Sequence, residues 1–352
     1  MRKALAYYTR TRVRPSALNL SRQIVAWFAV HQRDLPWRHT RDPYAIWISE
    51  IMLQQTQVKT VIPYYERWMR ELPTVAALAK AEPGRVLKLW EGLGYYRRAR
   101  HAQQAAQIIV EKFAGVFPSS LPEVLDLPGI GRYTAGAICS LAYNAPAPIL
   151  DGNVIRVLTR LFAISGSPRD KKINAQLWTL AGELAAAAQD RSSLNQGLME
   201  LGALVCLPRA PRCGDCPLRK NCAALKSGRT EEWPMLDSRP EITHRRVAAY
   251  IVRRQDRFLV AQRPAGVVNA LLWEFPNHEG ETTPEEFDLL EAKPICQVRH
   301  SITRYRILLE AFPARLTLSR APARMSWRTL PELRALPFAS AHRKIADHLS
   351  LH

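Results

Sequence analysis

The chain has 352 residues, 50 Lys plus Arg against 31 Asp plus Glu, and a formal net charge of +19. With 47% hydrophobic and 23% charged residues, wholesale disorder and collagen-like repeats are excluded, and the length suggests about two globular domains. The positive excess sets up an attractive field for polyanions, nucleic acid being the commonest; a merely basic, solvated surface is the alternative.

The first residues, MRKALAYYTRTRVRPS, hold neither the apolar run nor the small-residue cleavage site of a secretory signal, and residues 1–19 read as a basic arm. Their Arg-rich, acid-free composition is also that of organellar transit peptides, so that option stays open. No run of about eighteen uncharged apolar residues occurs, so a soluble, unexported protein is expected.

From Leu20 to about Leu225 apolar residues recur at three- and four-residue steps, as in Ile46, Trp47, Ile51, Leu53 and Val58 and in Val154, Ile155, Leu158 and Leu161. Breaks at Pro63, Pro73, Pro83-Gly84, Gly115, Pro128-Gly129 and Pro146 leave segments of ordinary helix length, which predicts an all-α region of about eight to twelve helices. TEEWPMLDSRPEITHRR then marks a linker at about residues 226–244. Beyond it VAAYIVRR, RFLVAQR and YRILLEAF read as short strands, so residues 245–352 are expected to form a smaller α+β domain.

Glu50, in WISEIMLQQTQV, shares a helix with Trp47, Ile51 and Leu53. Apolar neighbours desolvate a carboxyl and hold its proton, although a solvated helix residue is the commoner case. LPEVLDLPGIGRYTAGAICSLAY reads as helix, tight turn and helix, with Gly129 and Gly131 allowing close backbone approach and free N–H groups at the next helix start. A plain connector is the alternative. In ILDGNVIRVLTRLF, Asp151 precedes a helix whose positive end is expected to keep it ionised, able to stabilise or attack a cation, with Asn153 to orient it. An ordinary N-cap would look the same.

Six cysteines in a large chain without an export signal do not suggest a disulfide framework, and four lie within seventeen residues. Cys206, Cys213, Cys216 and Cys222 are spaced C-x6-C-x2-C-x5-C, which suits either a [4Fe–4S] cluster or structural zinc. Arg209, Arg212, Arg219 and Lys220 would be fanned out by the metal to meet phosphates, or form a solvated rim. Cys139 reads as packed core and Cys296 has no cysteine partner nearby.

SEIMLQQTQV, LWEGLGYYRRARH, LPGIGRYTAGAI, ILDGNVIRVL and the cysteine spacing together resemble adenine DNA glycosylases of the MutY type, over about Leu35 to Cys222. The resemblance implies a mainly α helix-hairpin-helix glycosylase fold with an iron-sulfur cluster loop, plus a C-terminal α+β Nudix-like domain. Within residues 20–225 it implies a six-helix domain of about 36–147 and a cluster domain formed by 20–35 and 148–225. Residues 245–352 would then be a lesion-recognition domain, with AQRP and LLWEFP as landmarks and no Glu-rich Nudix helix to bind metal.

It also implies the reaction, in which adenine mispaired with 8-oxoguanine or guanine is flipped from the duplex and its N-glycosidic bond cleaved. Carried over, Glu50 protonates adenine and later activates water, while Asp151 stabilises the oxocarbenium-like sugar, with a transient covalent bond. Tyr133 stands where lyases of the endonuclease III type carry a Schiff-base lysine; a phenol forms no imine, so a monofunctional enzyme is expected. Thymine-removing mismatch glycosylases share that tyrosine.

Leu35, Trp37 and Arg38 of DLPWR, with Gln196, match positions around the extruded adenine; Gln55, Thr56, Leu93 and Tyr95 match the wedge that enters the duplex. Where members commonly show Phe-Ser-His against the lesion, this chain reads Ile302, Thr303 and Arg304. Thr303 can supply a hydroxyl, but Arg304 is not a histidine. The cofactor expected from the resemblance is [4Fe–4S] rather than zinc. The expected partner is mispaired duplex DNA, with no membrane, a monomeric state and a cytoplasmic, nucleoid-associated location of bacterial type.

Overall fold

The computed structural model describes residues 16–237, 241–280 and 282–351. Most of the basic arm therefore lies outside the described residues, and the first helix, Ala17–His31, begins inside the stretch expected to form that arm. The chain divides into two compact units: Met1–Glu50 with Pro118–Asp237, and Ile51–Phe117 with Ser238–His352.

Between Ala17 and Lys226 the described residues form twelve α-helices, as the apolar spacing predicts. Short polar residues start them in the first unit. Ser16 accepts from Asn19 N, Asp170 from Lys172 N and Ile173 N, and Asp190 from Ser193 N, each satisfying backbone donors that a helix leaves open. The helices bury one face each in a shared core of Leu20, Ile24 and Phe28, Val154 and Leu158, Leu177 and Leu184, and Leu194, Leu198 and Leu201. Gly197 lets two of them meet closely, since a Cβ there would lie 2.7 Å from Ile24 Cγ2.

The stretch expected as a linker contains a 3-10 turn at Thr230–Glu232 and a buried Trp233. Its carbonyl accepts from Arg160 Nε at 3.0 Å. A polar run with prolines carries no periodicity, so this anchoring by a distant arginine left no pattern to read.

The second unit opens with helices Val58–Glu71, Val75–Lys80, Pro83–Trp90 and Arg97–Lys112. Trp68 and Trp90 meet edge to face at 5.5 Å between ring centroids. Its sheet is mixed. Strand Thr243–Arg254 runs parallel to Tyr305–Leu316, Val247 facing Leu309, and Cys296–Ile302 pairs antiparallel with Tyr305–Leu316 as a hairpin turning at Thr303-Arg304. Arg257–Gln262 pairs with Trp273–Glu274 and Met325–Thr329, and helix Ser340–Leu349 sends Ala341 and Ile345 into the same core as Phe275 and Leu309.

Candidate active site and cysteine loop

Helix Pro43–Leu53 presents Glu50 to the interior, where only 4% of it remains exposed. Burial pushes its carboxyl up to about 7; a hydrogen bond from Tyr133 pulls the other way, the charge of Asp151 adds to the rise and that of Arg38 opposes it. Tyr133 Oη donates to Glu50 Oε2 at 2.7 Å and also meets Met199 Sδ at 3.2 Å. Burial and both carboxylates, Glu50 and Asp151, hold the phenol well above its usual range, so it stays a donor. The two carboxylates that sequence places a hundred residues apart thus share one tyrosine's surroundings.

Asp151 caps helix Gly152–Phe162, its Oδ1 accepting from Val154 N at 2.7 Å. Asn153 Nδ2 donates to Oδ2 at 2.9 Å. The amide has one orientation because Arg156 Nη2 donates to Asn153 Oδ1 at 2.8 Å, leaving the NH2 end for the aspartate. The helix terminus is not the only influence on the Asp151 carboxyl. Burial raises its carboxyl above the ordinary range and outweighs the hydrogen bonds from Val154 and Asn153 and the charge of Arg156.

Glu200, which sequence reading missed, organises the neighbouring wall. Helix Arg191–Leu204 carries Gln196, Met199 and Glu200 at i, i+3 and i+4, hence on one face. Arg33 Nη2 donates to Glu200 Oε2 at 2.7 Å, and Arg38 bonds both oxygens at 3.0 and 2.8 Å. Burial pushes Glu200 up, but the hydrogen bonds from Arg33 and Arg38 prevail and hold it at about 2. Arg38 also donates to Arg33 O at 2.8 Å and lies over the Phe28 ring, so its fork is committed to contacts within the protein. Leu35 and Trp37 are buried, and Gln196 donates to Ser192 Oγ at 3.2 Å. The local signal is a pair of arginines in RDLPWR flanking apolar residues, a pattern that does not identify their partner.

The turn of the helical hairpin joins Leu121–Leu125 to Arg132–Tyr143. Gly129 has φ +77, whereas Gly131 sits at φ −95 and caps the second helix with open space where a Cβ would stand. Left-handed backbone therefore explains only the first glycine.

Cys206, Cys213, Cys216 and Cys222 line one cavity with Val157, Leu161, Leu201 and Leu218. Arg160, 2% exposed, spans its rim, reaching Cys206 Sγ at 3.4 Å, Leu207 O at 2.6 Å and Pro208 O at 3.0 Å. Burial, reinforced by neighbouring thiols, pushes Cys216 up to about 12. Among the described residues no three Cys, His, Asp or Glu side chains close on a point as a single ion requires. Arg156 Nε donates to Cys206 O at 2.7 Å, so the arginine that orients Asn153 also grips the start of the cysteine loop. Arg212 is exposed and paired with Asp215 at 3.1 Å.

In the second unit the expected wedge residues fall on two loops. Gln55 has φ +58 and Tyr95 φ +47, and Tyr95 is 54% exposed, whereas Leu93 is buried. Arg98 joins the loops by donating to the carbonyls of Ile51, Met52 and Gln54 on one and Leu93 and Gly94 on the other. At the strand hairpin Thr303 has φ +52 and bonds Ile302 O, and Arg304 Nη2 donates to Tyr305 Oη at 3.2 Å.

The chain matches the HhH-GPD superfamily base excision DNA repair protein family over residues 48–183 and the NUDIX domain over residues 247–348. An adenine DNA glycosylase of Buchnera aphidicola subsp. Acyrthosiphon pisum (strain APS) is 38% identical over 262 residues, which are 74% of this chain and 75% of the relative. Among solved structures, a thermostable thymine-DNA glycosylase superposes with a TM-score of 0.55 at 31% identity, over 60% of this chain and 97% of its own. A non-covalent endonuclease III–DNA complex is alike in fold, with a TM-score of 0.51 at 21% identity, over 62% of this chain and 99% of that one.

Proposed function

Since the chain belongs to the adenine DNA glycosylase family, we propose that it excises adenine mispaired with 8-oxoguanine, or with guanine, using Glu50 as acid and base and Asp151 as stabiliser or nucleophile. It is a DNA N-glycosylase, a hydrolase of base-excision repair. The observation that carries the assignment of roles is the Glu50–Tyr133–Asp151 arrangement, in which burial holds one carboxyl near neutrality beside a second carboxylate.

Protonated Glu50 gives its proton to N7 of the extruded adenine, and the C1′–N9 bond breaks with its electron pair leaving on the base. Asp151, oriented by Asn153, faces the cationic sugar and forms a transient C1′–O bond. Glu50, now a carboxylate, takes a proton from the water that attacks C1′ as the C1′–O bond breaks and its electron pair returns to the Asp151 carboxylate, leaving an abasic site and free adenine. Tyr133 holds Glu50 in place and, lacking an amine, forms no Schiff base with the opened sugar, so strand cleavage is not part of the reaction.

Leu35, Trp37, Arg38 and Gln196 line the base, and Gln55, Thr56 and Tyr95 fill the vacated stack, with Leu93 packed behind them. Gly129, Gly131 and Arg212 meet the DNA backbone, and Thr303 and Arg304 face the base opposite adenine. Cys206, Cys213, Cys216 and Cys222 would hold a [4Fe–4S] cluster, supported by four soft thiols lining one cavity. The cluster, when bound, would close the Cys206–Cys222 loop through iron–thiolate bonds. The chain is read as the two-part glycosylase region 20–225, a linker at 226–244 and a lesion-reading domain from 245. It would act as a monomer at the nucleoid; among the described residues no helix is long and apolar enough to cross a membrane.

Single-turnover base release from duplexes carrying A opposite 8-oxoguanine, A opposite G, T opposite G and A opposite T tests this reading. Alkali-dependent cutting at mispaired adenine alone is expected. Release of thymine would assign the enzyme to thymine mismatches, and cutting without alkali would reinstate lyase chemistry.

A further inference from the structure

The loop Gly92–Tyr95 is pinned at both ends to one short segment of the C-terminal domain. Glu91, immediately before it, keeps 12% of its side chain exposed. Its Oε1 accepts from Arg343 Nε at 2.8 Å and from Phe338 N at 3.1 Å, while Oε2 accepts from Lys88 Nζ at 2.5 Å. Lys88 and Arg343 both donate to Leu336 O, at 3.3 and 2.6 Å. Just after the loop, buried Tyr96 donates to Phe338 O at 3.4 Å, lies 3.4 Å from Ser340 Oγ, and accepts from Gly92 N at 3.3 Å.

Between these anchors Arg98 gathers the carbonyls of Leu93 and Gly94 with those of Ile51, Met52 and Gln54. Polar contacts therefore hold residues 336–343 to Glu91 and Tyr96 at the two ends of the loop, Arg98 ties its Leu93 and Gly94 carbonyls to the Gln54 turn, and the short backbone of Gly92–Tyr95 joins the two sets. Burying an ion pair is a poor way to gain stability, because desolvation offsets most of the attraction. Its use is to fix a register, and apolar packing alone would let this loop slide.

We propose that Glu91 is a positioning residue for base excision: clamped by Arg343 and the Phe338 amide, it locks the Gly92–Tyr95 loop to the C-terminal domain, so that the domain's hold on the opposite base sets where the loop enters the duplex. This rests on the reading above that the domain reads the lesion and the loop wedges. The advantage that 8-oxoguanine confers over guanine then passes through Glu91. Excision opposite guanine, which draws less on the domain, has less to lose when the latch opens.

The test uses the full-length protein with Glu91→Gln, which keeps an acceptor for Phe338 N but removes the charge, and Arg343→Leu. Single-turnover rates opposite 8-oxoguanine and opposite guanine are measured at saturating enzyme, with the melting temperature alongside. Each variant is expected to lose about tenfold on the lesion substrate and less than about threefold on the guanine substrate, and the double variant should be no worse than the weaker single. Rates that fall in equal proportion on both substrates, rates that do not change, or losses that multiply in the double variant would overturn the proposal while leaving the function intact. A wild-type enzyme that treats the two mispairs alike would overturn the underlying reading and the proposal with it.

Discussion

The carboxylate pocket and the strand hairpin at Thr303-Arg304 are built on opposite plans. In the pocket every acid is met by a protein donor: Glu50 by Tyr133 and Glu200 by Arg33 and Arg38 from distant parts of the chain, and Asp151 by Asn153 two residues on. At the hairpin Thr303 bonds the carbonyl of its own neighbour and Arg304 the adjacent phenol, both side chains exposed. Groups that must stabilise a fleeting charge are held beforehand, since reorganising them during reaction would raise the barrier. Groups that read a base can rearrange on contact at little cost.

If that contrast is right, single changes in the pocket act on chemistry and changes at the hairpin act on preference. The largest expected effect is that of Asp151→Asn, which preserves the shape of the cap but removes the charge facing the sugar. Base release should fall by about 1,000-fold or more while binding to a mispaired duplex changes by less than about threefold, as single-turnover rates and equilibrium titration will show. Loss of binding together with rate would return Asp151 to a structural N-cap.

The next effect is on pH dependence. With the Glu50 carboxyl near 7, its proton is available below that value, and single-turnover release should fall about tenfold per unit above it. Tyr133→Phe removes the hydrogen bond that opposes burial, so the falling limb should move to higher pH. A limb that moves down would mean that Tyr133 does not stabilise the carboxylate. The sign for stability is the reverse of the usual acid case. The folded carboxyl holds its proton up to about 7 against 4.5 in the ordinary state, so stability is greatest below that window and declines as pH rises through it.

Much of this arrangement is legible in the sequence because local periodicity and capping are local physics. Asp151 precedes an apolar run, the helices repeat every three or four residues, and the cysteines announce themselves by spacing. Glu200 lies 162 residues from Arg38 in the chain, and nothing local distinguishes it from a solvated glutamate. Arg156 and Arg160 look like ordinary charges on an amphipathic helix until the cysteine loop folds across them. Leu93, expected at the wedge with Tyr95, is buried while Tyr95 is exposed, in a loop whose backbone is left-handed at Gly92, Gly94 and Tyr95 and so carries no periodicity to read. For Asp151 the helix terminus was the right local influence, but burial, a property of the whole fold, outweighed it.

Glu200→Gln probes the pocket wall rather than the reacting groups. Removing the charge leaves Arg33 and Arg38 facing a neutral amide that offers one acceptor oxygen where the carboxylate offers two. A loss of about 3 kcal/mol in urea unfolding at neutral pH is expected, with adenine release slowed because Arg38 no longer holds its place beside Glu50. The wild-type contribution itself should be present above about pH 4.5 and vanish as pH falls toward 2. An unchanged midpoint would show the arginines to be satisfied by solvent.

The smallest effects should come from the hairpin, and they sharpen the contrast most. Tyr305 lies between Arg245, 3.7 Å from its ring centre, and Arg304, 5.2 Å away, so either guanidinium can leave the ring for DNA and lose only a partly hydrated cation–π contact. Thr303→Ala deletes one hydroxyl hydrogen bond, and Arg304→Ala one exposed charge. Each should reduce excision opposite 8-oxoguanine by about two- to tenfold, the worth of a single hydrogen bond, and leave excision opposite guanine nearly unchanged. Equal losses on both substrates would place the two residues on the phosphate backbone, where contacts position the protein without reading the base.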